Sequence, residues 1–369
     1  MSALAVQTEL IERTLVLAEK GWGATHPNPM VGALIKEGGE VVAEGYHSRA
    51  GSPHAEVEAF SALGRKPRDA AVLYVSLEPC SSTGRTPACT SAILQSGIRR
   101  VVVGCIDPDS RHAGHGLEVL RAGGVDVVIA PSELEEKATR LNFIFNHRAH
   151  FKSPLIALKM ALSANGMVAE RAGYPSRVTG EKARADVMRW RRLFPSICVG
   201  SGTIVADDPS LTSRISNGEW CPLRLVVDSS LSTLSASFHP RRVYTDEHAD
   251  KTIILTTPRG LEDGKSLSRA DELGIRVVEA ESGPDGRVSP LAIRKVLEEF
   301  HMVGTYCEGG PALARSLLYA KEVDYMFFYR SSKTFHSPEA MYGPDLQSLE
   351  IKKAQHCQFG EDQLIHGFL

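Results

Sequence analysis

Apolar positions along the chain switch between a two-residue and a helical period, and the switches outline its elements. VGALI (31–35) and EVVAEG (40–45) read as two strands closed by a turn at Gly38-Gly39. HAEVEAFSAL (54–63) reads as a helix, AVLYVSL (71–77) as a buried strand, and PACTSAILQ (87–95) as a helix stopped by Gly97. RRVVVGC (99–105) and VDVVIA (125–130) follow as strands around the helical GLEVLRAGG (116–124). Ahead of them, MSALAVQTELIERTLVLAEKG (1–21) has acids inside its apolar pattern and no small-residue cleavage site. It reads as an amphipathic helix and not a signal peptide. Together these make an α/β layer arrangement, mostly parallel after the first hairpin.

Near NHRAHFKSP (146–154) the periodicity breaks and Pro154 intervenes, which predicts two domains, 1–149 and 150–369. Strand material then resumes with PLIALKMALS (154–163), SICVGSG (196–202), LRLVVDSS (223–230), KTIILTT (251–257) and IRVVEA (275–280). Helical patterns, GEKARADVMRWRR (180–192) and SPLAIRKVLEEF (289–300), lie among them. A strand-turn-helix unit, TYCEGGPALARSLLYA (305–320), and the strand VDYMFFYR (323–330) complete a second α/β domain. The polar C-terminal residues carry no pattern that predicts an element.

Composition narrows the classes of function. An apolar content of 43% and a charged content of 23% over 369 residues are those of a soluble globular protein with room for two domains. A formal net charge of −2 gives no reason to expect nucleic acid or an anionic membrane surface as partner. No run of about 18 apolar residues occurs, so no membrane span is expected. Seven scattered cysteines, an odd number, point to a reducing, cytoplasmic compartment and against a disulfide. Homo-oligomer formation is left open.

Two of those cysteines, Cys80 and Cys89, stand close together in LEPCSSTGRTPAC (77–89). Upstream, His54-Ala55-Glu56 is the only His-x-Glu in the chain, and Pro79-Cys80 is the only Pro-Cys. One imidazole and two thiolates give a zinc ion three tetrahedral ligands and leave the fourth position for water, the arrangement of a catalytic site. A carboxylate two residues from the histidine, close to the metal but not bound to it, can carry protons. Each cysteine is expected to open a helix, whose positive end favours the thiolate. A lone His or an isolated Cys is more often plain packing, and a structural zinc site prefers four protein ligands. The combination favours one catalytic zinc per chain.

The pattern resembles the zinc-dependent base deaminases, whose signature runs H-x-E…P-C-x-x-C. Here the second part is C-x8-C, and the longer loop resembles the deaminase half of the bifunctional riboflavin-biosynthesis deaminase/reductase family. HPNPMVGALI (26–35), GYHSRAGSPHAE (45–56), LEPCSSTGRTPAC (77–89) and IDPDSRHAGHG (106–116) carry the resemblance. It implies a cytidine-deaminase-like α/β/α domain with zinc on His54, Cys80 and Cys89 and Glu56 as proton shuttle. It also implies pyrimidine contacts from Asn28, His47 and Arg85. Ser82 stands where many relatives have His, and Asp109-Ser110 where an Asn-Pro is usual.

Without the resemblance, the second domain offers three weaker signals. In YCEGGPALARS (306–316) a strand ends at Gly309-Gly310 and a helix starts at Pro311, a junction that serves either as a tight turn or as a phosphate site. Arg184 and Arg191 lie seven apart on one helix face, as a solvated face or a phosphate grip. In GTIVADDPSLTSR (202–214) two acids and an arginine crowd a turn after a strand. In this order the three resemble the family's reductase half, which implies a dihydrofolate-reductase-like fold and NADPH. Cofactor contacts are then implied for Ala161, Arg177, Thr203, Asp207, Ser229 and the turn Gly310, Pro311, Ala312, Leu313, Ala314, Arg315, Ser316. Contacts to a small pyrimidine ribose-phosphate are implied for Arg191, Leu211, Arg214 and Glu308.

This half departs from the family in several places. Ser163-Ala164-Asn165-Gly166-Met167 replaces an S-L-D-G-[KR] run, Pro175 a serine, Arg177 a tryptophan, and Ser331-Ser332 an Ala-Pro. The expectation is a bifunctional enzyme of flavin biosynthesis with a diverged reductase domain. The alternative is a deaminase whose second domain serves only as a scaffold.

Overall fold

The computed structural model describes residues 7–82, 87–110, 112–171, 173–215, 218–235, 239–346 and 348–369. The chain divides into two compact units, Met1–Lys152 and Ser153–Leu369.

The first unit runs α1 (Thr8–Glu19), β1 (Gly32–Glu37), β2 (Glu40–Tyr46), α2 (Ala55–Leu63), β3 (Val72–Val75), α3 (Cys89–Ser96), β4 (Arg100–Val103), α4 (His115–Ala122), β5 (Asp126–Ile129), α5 (Ser132–Leu141) and α6 (Phe143–Phe151). Its sheet has the order β2-β1-β3-β4-β5, antiparallel up to β3 and parallel beyond it. Strand periodicity sorts the helices between the two faces. Ala33, Ile35, Leu73, Val75, Val101 and Val103 pack with residues of α2, α3 and α4. Leu34, Tyr74 and Val102, one step out of phase, pack with Ile11 and Leu17 of α1 and Leu134 of α5. The anticipated break near residue 150 is instead helical through Phe151, closed by Lys152 at φ 55°.

The second unit runs β6 (Leu155–Leu162), β7 (Met167–Ala169), α7 (Glu181–Leu193), β8 (Ser196–Gly200), α8 (Ser201–Asp207), β9 (Ser213–Ile215), β10 (Gly218–Trp220), β11 (Leu223–Val227), α9 (Arg242–Thr245), β12 (Thr252–Thr256), α10 (Gly264–Glu272), β13 (Arg276–Glu279), α11 (Pro290–Glu299), β14 (Gly304–Cys307), α12 (Pro311–Tyr319), β15 (Tyr325–Arg330), β16 (Met341–Tyr342), β17 (Lys352–Phe359) and β18 (Asp362–Phe368). Its main sheet has the order β13-β12-β11-β8-β14-β6-β15-β18-β17, parallel from β13 to β15. The polar C-terminus is thus a hairpin added antiparallel to β15. Ile156, Leu158, Met160 and Leu162 face α11 and α12, whereas Ile197, Val199, Val226 and Ile254 face α8, α9 and α10. GTIVADD, expected as a turn, lies largely in α8, and the turn begins at Asp208. No helix among the described residues is long and apolar enough to cross a membrane.

Candidate active sites

His54 is the N-cap residue of α2, and Glu56 lies in that helix's first turn. The helix approaches β2 closely because Gly45 has no side chain: a Cβ there would stand 2.4 Å from the Ala55 carbonyl oxygen. Cys89 is the first residue of α3, but Cys80 sits in an irregular segment after β3, so among the described residues only one of the two cysteines opens a helix. The Cys89 N–H donates to Cys80 Sγ at 3.3 Å and draws the two together. His54 Nδ1 stands 3.2 Å from Cys89 Sγ and 3.6 Å from Cys80 Sγ. All three donor atoms lie within 4.8 Å of one another. One nitrogen and two sulfurs at this spacing fit around one zinc ion, whose bonds run about 2.0–2.3 Å. A hydrogen bond from Cys89 holds the Cys80 thiol down to about 4, with burial opposing and His54 assisting. The sulfur pair thus shares a proton that a bound cation would displace.

Glu56 is 3% exposed. Burial pushes its carboxyl up from the usual range, which suits a group that takes and returns protons. His47, just after β2, places Nδ1 3.0 Å from the Pro53 carbonyl oxygen and Nε2 3.2 Å from Asn28 Nδ2. A carbonyl only accepts, so Nδ1 carries the proton and Nε2 accepts from the Asn28 amide. Burial also lowers the His47 pKa, which favours the neutral ring. Its ring meets His54 edge-on at 5.5 Å. The structure therefore brings Asn28, His47, His54, Glu56, Cys80 and Cys89 toward one place. Arg85 lies outside the described residues.

Glu78 is a supporting residue that pattern reading missed. Its buried carboxylate accepts from the backbone N–H groups of Asp107 (3.1 Å), Gly114 (2.9 Å) and Gly116 (2.8 Å). It ties the loop before α4 to the segment that carries Cys80. The available signal was an acid directly behind an apolar strand, where an unpaired carboxylate is costly.

The second unit holds a cavity of about 1190 Å³ along the C-terminal edge of its parallel strands. There β8 continues in sequence to β11 on one side while β14 flanks it on the other, the kind of switch point where open α/β sheets bind ligands. Ala161, Arg177, Arg191, Thr203, Asp207, Leu211, Ser229, Glu308, Gly310, Pro311, Ala312, Leu313 and Ser316 line it. Three of the implied residues do not. Ala314 is buried in the core, Arg315 donates to the Tyr342 carbonyl at 2.7 Å, and Arg214 is exposed, with a 3.5 Å contact to Ser210 Oγ. Arg191 is neither a solvated residue nor a free grip: its guanidinium forks onto Glu308 and donates to the Thr212 carbonyl at 3.0 Å. Leu211 holds φ 56° at the cavity wall, a conformation strained for a branched residue.

Lys159 was also missed. It stands alone as a charge in the strand LIALKMAL, and that isolation was the signal. Its Nζ lies 3.7 Å from Glu308 Oε2, and burial pushes its pKa down. Burial works to raise Glu308, yet Arg191 and Lys159 outweigh it and hold the carboxyl below its usual range. Burial raises Asp207, with Lys159 opposing.

A three-donor metal cluster in one α/β unit and a large cavity at the strand ends of the other fit a zinc-type deaminase joined to a reductase, the class the matching families give. Residues 5–105 match the cytidine and deoxycytidylate deaminase zinc-binding region, and residues 154–365 match the RibD C-terminal domain. The chain is 34% identical over 367 residues to riboflavin biosynthesis protein RibD of Aquifex aeolicus, covering 98% of both chains. It is 34% identical over 374 residues to RibD of Escherichia coli, covering 96% of this chain and 97% of that one. Its fold matches that of a diaminohydroxyphosphoribosylaminopyrimidine deaminase/5-amino-6-(5-phosphoribosylamino)uracil reductase from Thermotoga maritima. The TM-score is 0.81, with 30% identity and 97% of each chain covered. The chain belongs to the RibD family of bifunctional riboflavin-biosynthesis proteins, and both the deaminase and the reductase domain are present.

Proposed function

We propose that the first unit hydrolyses the 2-amino group of 2,5-diamino-6-ribosylamino-4(3H)-pyrimidinone 5′-phosphate, releasing ammonia. The second unit then reduces the ribosyl side chain to ribityl with NADPH. What supports this most is the coexistence, in one chain, of the His54–Cys80–Cys89 cluster beside buried Glu56 and a cavity holding Lys159 against Glu308.

In the first unit His54, Cys80 and Cys89 would hold zinc, which supplies Lewis acidity for hydrolysis when bound. Glu56 is placed to take a proton from the incoming water and return one to the departing amine. Asn28 and neutral His47 orient the pyrimidine, their polarity fixed by the Pro53 contact. In the second unit NADPH would lie along the strand ends against Ala161, Thr203, Asp207, Ser229 and the Gly310–Leu313 turn with Ser316, and would supply the reducing equivalents. Lys159, whose pKa is pushed down by its partly buried setting, gives a proton to the sugar oxygen, and Glu308 and Asp207 hold it in place. Leu211 and the Arg191–Glu308 pair line the substrate side. None of the seven cysteines is in a disulfide, which suits a reducing, cytoplasmic setting.

The test supplies purified zinc-loaded protein with the diaminopyrimidine and follows ammonia and NADPH together. Equimolar ammonia release and NADPH oxidation is the expected result. Ammonia release without NADPH consumption would favour the scaffold alternative, and absence of ammonia release would reject the deaminase assignment.

A further inference from the structure

Helices α5 and α6 meet at one residue, Asn142, which closes the first and caps the second at φ −105° and ψ 31°. It is a polar side chain in an apolar setting, buried beside buried Phe143 and Ile144. A carboxamide enclosed in this way is costly unless both of its ends are bonded. Both are, by a single residue 112 positions away. The Met30 N–H donates to Asn142 Oδ1 at 2.8 Å, and Asn142 Nδ2 donates to the Met30 carbonyl at 2.9 Å. Met30 lies two residues ahead of β1, outside the ladder that begins at Gly32, so the carboxamide stands in for a partner strand's peptide group.

The backbone held in this way carries Asn28. The Asn28 N–H donates to the Thr25 carbonyl at 2.8 Å, and its side-chain Nδ2 donates to His47 Nε2 at 3.2 Å. On the other side of Met30, the His47 N–H donates to the Val31 carbonyl at 2.9 Å. His47 is therefore met twice by one short stretch, at its ring by Asn28 and at its backbone by Val31. Met30 lies between these two contacts, and Asn142 grips both of its polar groups. Displacing Met30 would move Asn28 relative to the imidazole, while His54, Cys80 and Cys89 are held by α2, α3 and the segment after β3.

We propose that Asn142 is a positioning residue for deamination, holding Asn28 against His47 so that the pair offers the pyrimidine one fixed hydrogen-bonding face. It acts through Met30 and is not itself a group of the reaction. The assignment rests on reading Asn28 and His47 as the pyrimidine contacts.

Asn142→Asp keeps an acceptor for the Met30 N–H and sets an oxygen against the Met30 carbonyl. It should lower kcat/KM for deamination about 10- to 100-fold, the scale of a contact misplaced by about 1 Å. Zinc per chain, and NADPH oxidation with the deaminated intermediate, should stay at wild-type levels. A double-mutant cycle with Asn28→Ala separates positioning from plain stability. In the Asn28→Ala background the same substitution should cost less than about twofold in kcat/KM, yet lower the melting temperature as much as it does alone. Asn142→Ser, smaller and uncharged, runs the same cycle and replaces Asn142→Asp if that chain does not fold. Equal fold losses in the two backgrounds, wild-type deamination by both Asn142 variants, or loss of zinc from both would each overturn the positioning role. Wild-type deamination by Asn28→Ala would reject the reading of Asn28 itself and remove the role with it.

Discussion

Glu56 is buried and Lys159 partly buried beside a cavity, and burial moves each toward its neutral form: the carboxyl is pushed up and the ammonium down. Glu56→Gln should keep zinc, measured as metal per chain, while deamination falls about 10²–10⁴-fold, the usual scale of acid–base assistance. Cys80→Ser should lose metal and deamination together, and full zinc occupancy in that variant would refute the ligand set. Lys159→Met should lower NADPH oxidation about 100-fold and leave deamination intact. Because Arg191 still neutralises Glu308 in that variant, its melting temperature should change little. His54, Glu56, Cys80 and Cys89 were legible because zinc chemistry demands those residue types in nearly that order. Ala314 and Arg315 do not line the cavity for a physical reason: helix phase turns successive residues of α12 to different sides.

At the scale of elements, the C-terminal hairpin escaped pattern reading because β17 is an edge strand with a largely exposed, polar surface. Its partner β18 contributes inward residues: His366 stacks on Phe327 at 5.4 Å and accepts or donates at 2.8 Å with the Tyr325 hydroxyl. Deleting residues 351–369 should uncover the edge of β15 and make the second unit prone to proteolysis and aggregation, with zinc binding by the first unit retained. A second element-level test concerns Glu37 at the end of β1, which accepts from Arg65 Nη1 (2.9 Å), Arg65 Nη2 (2.7 Å) and the Arg68 N–H (2.9 Å). The Arg65 hydrogen bonds, then the Arg68 amide, lower its pKa from 4.5 to about 2. A depressed carboxylate stabilises the fold above its unfolded pKa and loses that contribution as pH falls through the folded one. Glu37→Gln should therefore melt below the wild type at pH 6, and the gap should shrink as pH drops from 4.5 toward 2.

At the scale of the molecule, each unit carries candidate groups of its own, so damage should stay local. A mixture of the Glu56→Gln and Lys159→Met chains should convert the diaminopyrimidine to the ribityl product through the free intermediate. No product from the mixture, with each single activity intact, would show that the intermediate does not pass between chains. The amino-acid sequence alone determined the two α/β halves, the strand and helix sites along most of their length, and the metal donor set. Those features follow from local periodicity and from residue types that a single chemistry requires. Tertiary structure alone decided that Arg191 is spent on Glu308, that Asp228 is spent on Ser232 and Thr233, and that Lys159 faces a cavity. Which charges are paired and which are left for a ligand depends on strands and helices distant in sequence, whose side chains meet only once the sheet has assembled.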